Sequence, residues 1–288
     1  MTRTKWIILI VITGLILGGA ILIHHQLVAS VHVSSGITDL SETYKADAEI
    51  AEATKRLSDG PTPANIINQA KSGHQAAVIF DGLPDRATTA RLLDILKKHK
   101  AKAIFFVEGQ NAANQPETIQ MIRKAGMEIG NFTFIGIANA HTLDDATLIE
   151  QLCRTQKVVA AMTDRSPTLL RAPKTTYTAN FLRVAGACGI GNVVQHTLTL
   201  PTVHSEAEVA VFAATVKDGD IIAIPTGIPV EVKVMKQGKS DERPAFDKQP
   251  TVKDAAAIKD TYQDTIADRT EWLLASLEKL NYNMDFVN

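Results

Sequence analysis

Hydrophobic and polar positions divide the chain into three regimes. Trp6 to Ile23 (WIILIVITGLILGGAILI) is an unbroken apolar run without charge, and Thr13 is its only hydroxyl. Residues 30–62 are polar and poor in aromatics, with a helix predicted over 41–57 and broken by DGPTP at 59–63. From about residue 73 onward, short apolar runs alternate with amphipathic stretches. QAAVIF, AKAIFFV, MEIGNFTF, TLLR, IGNVV, DIIAIP and NMDFV predict strands near 76–80, 103–107, 128–133, 168–171, 191–194, 220–224 and 283–286. Between them, ATTARLLDILKKHK (87–100) puts Leu92, Leu93 and Leu96 on one helical face. PETIQMIRKAG (116–126) opens on proline and closes on glycine, the expected helix asymmetry. Thr142 followed by Asp145 reads as a capping box with Asp in place of Glu, opening a helix over 143–162. Strands this continuously apolar are buried on both faces, which implies parallel strands covered by helices. The class is α/β, and the periodicity fits a barrel or a wound sheet equally. Residues 227–256 interrupt the pattern with charge and prolines, and VEVKV (230–234) is an edge-strand candidate there. This stretch reads as a solvated excursion, with a flap over a ligand as the sharper alternative.

The 6–23 run measures roughly 27 Å as a helix, close to the ~30 Å hydrocarbon core of a bilayer. Arg3 and Lys5 precede it, and no Lys or Arg follows until Lys45. That asymmetry predicts a cytoplasmic tail (1–5), a single-pass anchor in the lipid bilayer (6–23) and an extracytoplasmic remainder. A cleaved signal peptide is the alternative, although its apolar core is usually shorter. His24 and His25 mark the outer interface. Residues 24–63 then read as a stalk or linker with a short helix, and 64–288 as one domain carrying the 227–256 insertion.

Composition narrows the partners. Of 288 residues 45% are hydrophobic and the formal net charge is -1, so there is no basic excess of the kind that nucleic acid requires. The two cysteines, Cys153 and Cys188, fall in predicted helices, where a disulfide and two buried thiols remain open alternatives. Their spacing argues against a metal pair.

Ligands of parallel α/β folds gather beyond the carboxyl ends of the strands. The residues there are Asp81; Glu108; Asn131 to Gly136; Arg171, Pro173 and Lys174; His196; and Pro225 with Thr226. VIFDGLPDRATTARLLDILKKHKAKAIFFVEG, then IRKAGMEIGNFTF, LLRAP and VKDGDIIAIP resemble, in order and spacing over roughly 73–288, the NodB-type polysaccharide deacetylases (carbohydrate esterase family 4). The resemblance implies a distorted (β/α) barrel that removes N-acetyl groups from chitin oligomers, peptidoglycan or other amino-sugar polymers. It also implies a divalent metal, usually zinc, that polarises the amide and acidifies a water, with a carboxylate base and a histidine acid.

The family motifs are altered here. In place of TFDDGP the chain has IFDGLP, so Asp81 matches the base, Gly82 stands at a metal-ligand position and Leu83 at the turn glycine. In place of H-T-Y-S-H it has Phe132 to Gly136, which puts Phe132 and Gly136 at the two metal histidines. RPPYG appears as Arg171 to Thr175, with Arg171 matching the arginine that tethers the base. The final LH is Ile224-Pro225, so Pro225 stands at the general acid. Phenylalanine, glycine and proline offer no ligand or titratable group. No cofactor is therefore expected, and Asp81 with Arg171 is expected to survive as a structural clamp. His141, His196 and His204 lack the spacing of a replacement metal site and read as capping, surface or core residues. Glu108, Phe132, Phe134 and Lys174 are the candidate glycan contacts. Three readings follow: a catalytically degenerate glycan-binding or scaffolding domain, an active carbohydrate N-deacetylase with a displaced site, and a purely structural interaction domain.

Overall fold

The apolar runs become a parallel sheet because each can bury both faces. The computed structural model describes residues 44–231 and 252–287, so the anchor expected at 6–23 and most of the 227–256 insertion lie outside the described residues. In chain order the elements are α1 (Asp47–Asp59), β1 (Asn65–Ile67), β2 (Gln75–Asp81), α2 (Arg86–Lys98), β3 (Ala103–Val107), α3 (Gly109–Asn114), α4 (Pro116–Lys124), β4 (Glu128–Asn131), β5 (Ile137–Ala138), α5 (Asp145–Thr163), β6 (Leu169–Leu170), α6 (Ala179–Ala187), β7 (Asn192–Val194), β8 (Leu198–Thr199), α7 (Glu206–Ala213), β9 (Asp220–Pro225), β10 (Val230–Glu231), α8 (Val252–Lys279) and β11 (Asn283–Met284).

The main sheet runs β1-β7-β6-β4-β3-β2-β9-β8, with β11 also on β2, and β5 pairs with β10 apart from it. These pairings are all parallel. The path is open between β1 and β8, which makes this a half-barrel and not a closed one. Ile79, Ile104, Phe106, Phe132, Leu169, Val194, Ile221 and Ala223 fill one core. Each of the seven expected strands has a counterpart. The short β1, β5 and β8 are additions that the apolar pattern does not predict, and VEVKV contributes β10 through Val230 and Glu231.

Two local expectations are corrected. The cap of α5 is Asp144, whose side chain accepts from the Thr147 amide at 2.7 Å. Thr142 lies in a 3-10 turn (Ala140–Thr142) and bonds back to the Asn139 carbonyl instead, at 2.9 Å. Asp144 wins because its carboxylate meets the helix N-terminus from an extended backbone. The helix expected in the stalk is α1, and it is packed. Ala46 and Ala53 sit in one cluster with Ile149, Leu152, Cys153, Val184 and Cys188 of the α5–α6 region. The compact unit spans Ala46–Asn288, so the expected boundary at 63/64 falls inside it. Among the described residues no helix is long and apolar enough to cross a membrane.

Candidate functional site

Strand register brings the chemistry together. Asp81 ends β2 opposite Phe106 on β3 and Pro225 on β9. Arg171 follows β6, and its amide is held by the Asn131 carbonyl at 2.9 Å. Its Nε and Nη2 donate to the two carboxylate oxygens of Asp81 at 2.5 and 2.8 Å, a bidentate fork. Both residues are buried. Burial alone would lower the Arg171 pKa, but the charge and hydrogen bonds of Asp81 outweigh it and hold the guanidinium above its ordinary value. The Tyr177 hydroxyl beside them is raised by burial, against the pull of Arg171.

Glu108, just past β3, lies against Gly82 and Gly136, two of the positions aligned with the family's metal ligands. It is 6% exposed, and Oε2 accepts from the Leu83 amide at 2.8 Å. Three glycines crowd the other side of the carboxyl. A Cβ on Gly82 would lie 3.0 Å from Oε1 and 2.9 Å from the Gly227 nitrogen, and one on Gly227 would lie 3.0 Å from Oε1. A Cβ on Gly136 would meet the Glu108 Cγ at 3.2 Å. Gly82 and Gly136 also have φ of +105° and +71°, which side-chain-bearing residues rarely adopt. Gly227 is pinned by its amide to the Asp81 carbonyl at 3.0 Å, and Thr226 Oγ1 bonds the Gly82 carbonyl at 2.5 Å. Burial raises the Glu108 pKa and the Asp81 charge adds to it, against the Leu83, Glu108 and Asn111 hydrogen bonds.

A divalent metal does not fit these residues. Of the aligned positions, Gly82 and Gly136 have no side chain, and the space between them holds the Glu108 carboxyl with one oxygen already bonded. Among the described residues no group of three or more His, Cys, Asp or Glu is placed to hold a metal.

The expected glycan contacts fare differently. Phe132 is 2% exposed and belongs to the core with Ile79, Phe106 and Val194, so it has no face to offer a sugar ring. Phe134 is half-buried, with the Arg154 guanidinium 3.7 Å from its ring centroid and Gly109 pressed against its edge. Arg154 thus covers one face of the ring. Lys174 is exposed and pairs with Glu231 at 2.8 Å, tying the loop after β6 to β10. Glu108 is committed to the Leu83 amide. All four candidates are engaged within the chain.

The loop 132–136 is held by Asn131 and Thr133 from the sequence-predicted set and by Gln151 from outside it. Asn131 accepts from the Thr133 amide at 2.8 Å, Thr133 Oγ1 from the Ile137 amide at 2.9 Å, and Gln151 from the Phe134 amide at 3.1 Å. His196 is half-buried, as a core or surface role would have it. Its pKa is lowered by burial and by Arg171, with Asp81 opposing, and its buried Nδ1 has no hydrogen-bond partner. It therefore borders the charged pair. His141 accepts from the Thr176 amide at 3.2 Å, and the His204 amide bonds Glu208 at 2.8 Å, so each is used locally.

Residues 68–193 match the family model for polysaccharide deacetylases. A peptidoglycan-N-acetylglucosamine deacetylase of Bacillus cereus is 31% identical over 99 residues, covering 34% of this chain and 36% of that protein. The peptidoglycan-N-acetylmuramic acid deacetylase PdaC of Bacillus subtilis is 36% identical over 98 residues, covering 34% of this chain and 21% of that one. The matched part thus spans about a third or less of these relatives. Among solved structures, the Bacillus anthracis protein BA3943, described as a pseudoenzyme of carbohydrate esterase family 4, superposes with TM-score 0.57 at 16% identity, covering 78% of this chain and 67% of that one. At that identity the likeness concerns the fold. The half-barrel, the retained motifs and the matched segment agree in their likeness to the polysaccharide deacetylase family.

Proposed function

We propose that this is a membrane-anchored, extracytoplasmic deacetylase-type domain that engages envelope glycan without hydrolysing it. One observation carries the catalytic half: the Glu108 carboxyl fills the space between Gly82 and Gly136, and the Gly227 backbone closes against it. Metal-assisted amide hydrolysis needs about three protein ligands and an open position for water. Asp81, committed to Arg171 through both oxygens, has no activated water to deprotonate. The glycan half draws on the relatives, which are named as deacetylases of peptidoglycan and chitin. The anchor draws on the charge-free 6–23 run behind Arg3 and Lys5.

The test is acetate release from N-acetylated chitin oligomers and peptidoglycan, with zinc, cobalt or manganese added and with chelator. The expected result is no release above a metal-free blank and no stoichiometric metal on the purified protein. Metal-dependent release that disappears on chelation would overturn the reading in favour of an active enzyme. Co-sedimentation with insoluble peptidoglycan is expected, and its failure would leave a scaffolding role alone. A reporter fused after residue 60 should be active only if exported.

A further inference from the structure

We propose that Cys153 and Cys188 form a disulfide across the α5–α6 junction, and that α1 is the strap that controls its formation. Cys153 lies in α5 and Cys188 caps the end of α6, and both are buried in one apolar cluster. Each thiol is the main perturbation on the other's pKa, as neighbours in that cluster would be. The surroundings keep the two in step, since Gln156, one turn beyond Cys153, donates to the Cys188 carbonyl at 3.4 Å.

The strap covers this pair directly. Cys153 Sγ donates to the Glu49 carbonyl of α1 at 3.7 Å, and Lys157 of α5 bonds the Glu49 carboxylate at 2.6 Å. Ala46 and Ala53 bury against the same cluster. The seam is imperfectly satisfied, however. Glu49 Oε2 and Gln156 Oε1 are buried without a hydrogen-bond partner. Unmet acceptors favour local opening, where water reaches them. An opening of α1 would expose the thiols as a pair while the sheet stays folded.

Thiol chemistry then follows a definite order. Neighbouring Cys188 holds the Cys153 pKa down against burial, with the Arg56 guanidinium helping and Glu49 opposing, and the Cys188 pKa is raised by its neighbour and by burial. Cys153 Sγ bonds the α1 carbonyl that an opening withdraws, so it is the first thiol uncovered and the attacking one. It breaks the S–S bond of a small-molecule disulfide, forms a mixed disulfide and releases one thiolate. Cys188 gives up its proton, attacks the Cys153 sulfur and expels the second. Two protein thiols are oxidised, one external disulfide is reduced to two thiols, and the protein's protons go to the leaving thiolates.

The test uses the full chain incubated natively with oxidised glutathione or with dithiothreitol. Thiols are then titrated in denaturant, and peptides are mapped without reduction. The expected result is loss of both thiols, a cross-linked pair of peptides carrying residues 153 and 188, and a rise in Tm of roughly 5–10 °C. Cys153→Ser and Cys188→Ser should each retain one thiol and show no rise. Glu49→Ala should oxidise several-fold faster than the parent. Two thiols still titrating, a stable glutathione adduct or an intermolecular dimer would overturn the pairing. An unchanged oxidation rate in Glu49→Ala would overturn the strap. Should a serine variant fail to fold, the wild-type peptide map still decides the pairing.

Discussion

Asp81 and Glu108 lie at the ends of neighbouring strands and are buried alike, 9% and 6% exposed, yet they are housed by opposite means. Asp81 lies against a guanidinium that grips both of its oxygens. Glu108 has a backbone amide, three glycines and the nearby Asp81 charge, and its pKa rises. A buried carboxyl is tolerated either by pairing or by taking up a proton. The first stands at the positions that match the family's base and its tether. The second lies against Gly82 and Gly136, the positions that match two of its metal ligands.

The largest effect should come from breaking the pair. Arg171→Ala strands a buried carboxylate and should cost about 3–5 kcal/mol in urea unfolding. Asp81→Asn should cost less, because the amide can still accept from Arg171. Equal midpoints for both variants and the parent would refute the clamp. Next comes Gly82→Asp, which restores the family's ligand type. Its Cβ would meet the Gly227 backbone at 2.9 Å with φ at +105°, and a loss of about 2–4 kcal/mol is expected. A neutral outcome, or newly acquired zinc, would show that the locus is open and not filled.

Glu108 itself separates the two modes. Glu108→Ala removes the acceptor of a buried amide and should cost about 1–3 kcal/mol, whereas Glu108→Gln keeps an acceptor and should be close to neutral at pH 7. The sign of the pH dependence follows from the raised folded pKa. Below the ordinary carboxylate range both states are protonated, and the contribution of Glu108 is fully present. It is lost as pH climbs from the unfolded value through the raised folded value. Parent stability should fall across that window relative to Glu108→Gln, measured by urea melts in matched buffers, and parallel pH profiles would exclude a raised Glu108. The smallest effect is Lys174→Ala. It breaks only an exposed ion pair with Glu231, so its melting curve should superimpose on that of the parent.

Legibility in the sequence differs from element to element. β3 is expected at 103–107 and spans Ala103–Val107, because AIFFV is buried on both faces and its neighbours only confirm what its own residues demand. β5 and β8 have two residues each, too short to show a period, and exist only because longer strands offer them an edge. The cap of α5 is Asp144 and not the expected Thr142, because the extended backbone at 144 aims its side chain at the helix end. Phe132 and Phe134 are apolar in any reading. Whether an aromatic faces a cleft or a core depends on what stands opposite it.

What the sequence determined by itself is therefore the alternation that makes a parallel α/β domain, the placing of Asp81 and Arg171 each just at or past a strand end, and the residue types at the altered motifs. These are local or periodic properties, written in short segments and carried by register. Tertiary structure alone decided that Glu108 turns into the gap left by Gly82 and Gly136, that Arg154 covers Phe134, that His196 borders the charged pair, and that α1 lies over Cys153 and Cys188. Each of those joins residues far apart in the chain through the space between them. Such a space is set by packing across several elements at once, and no single segment encodes it.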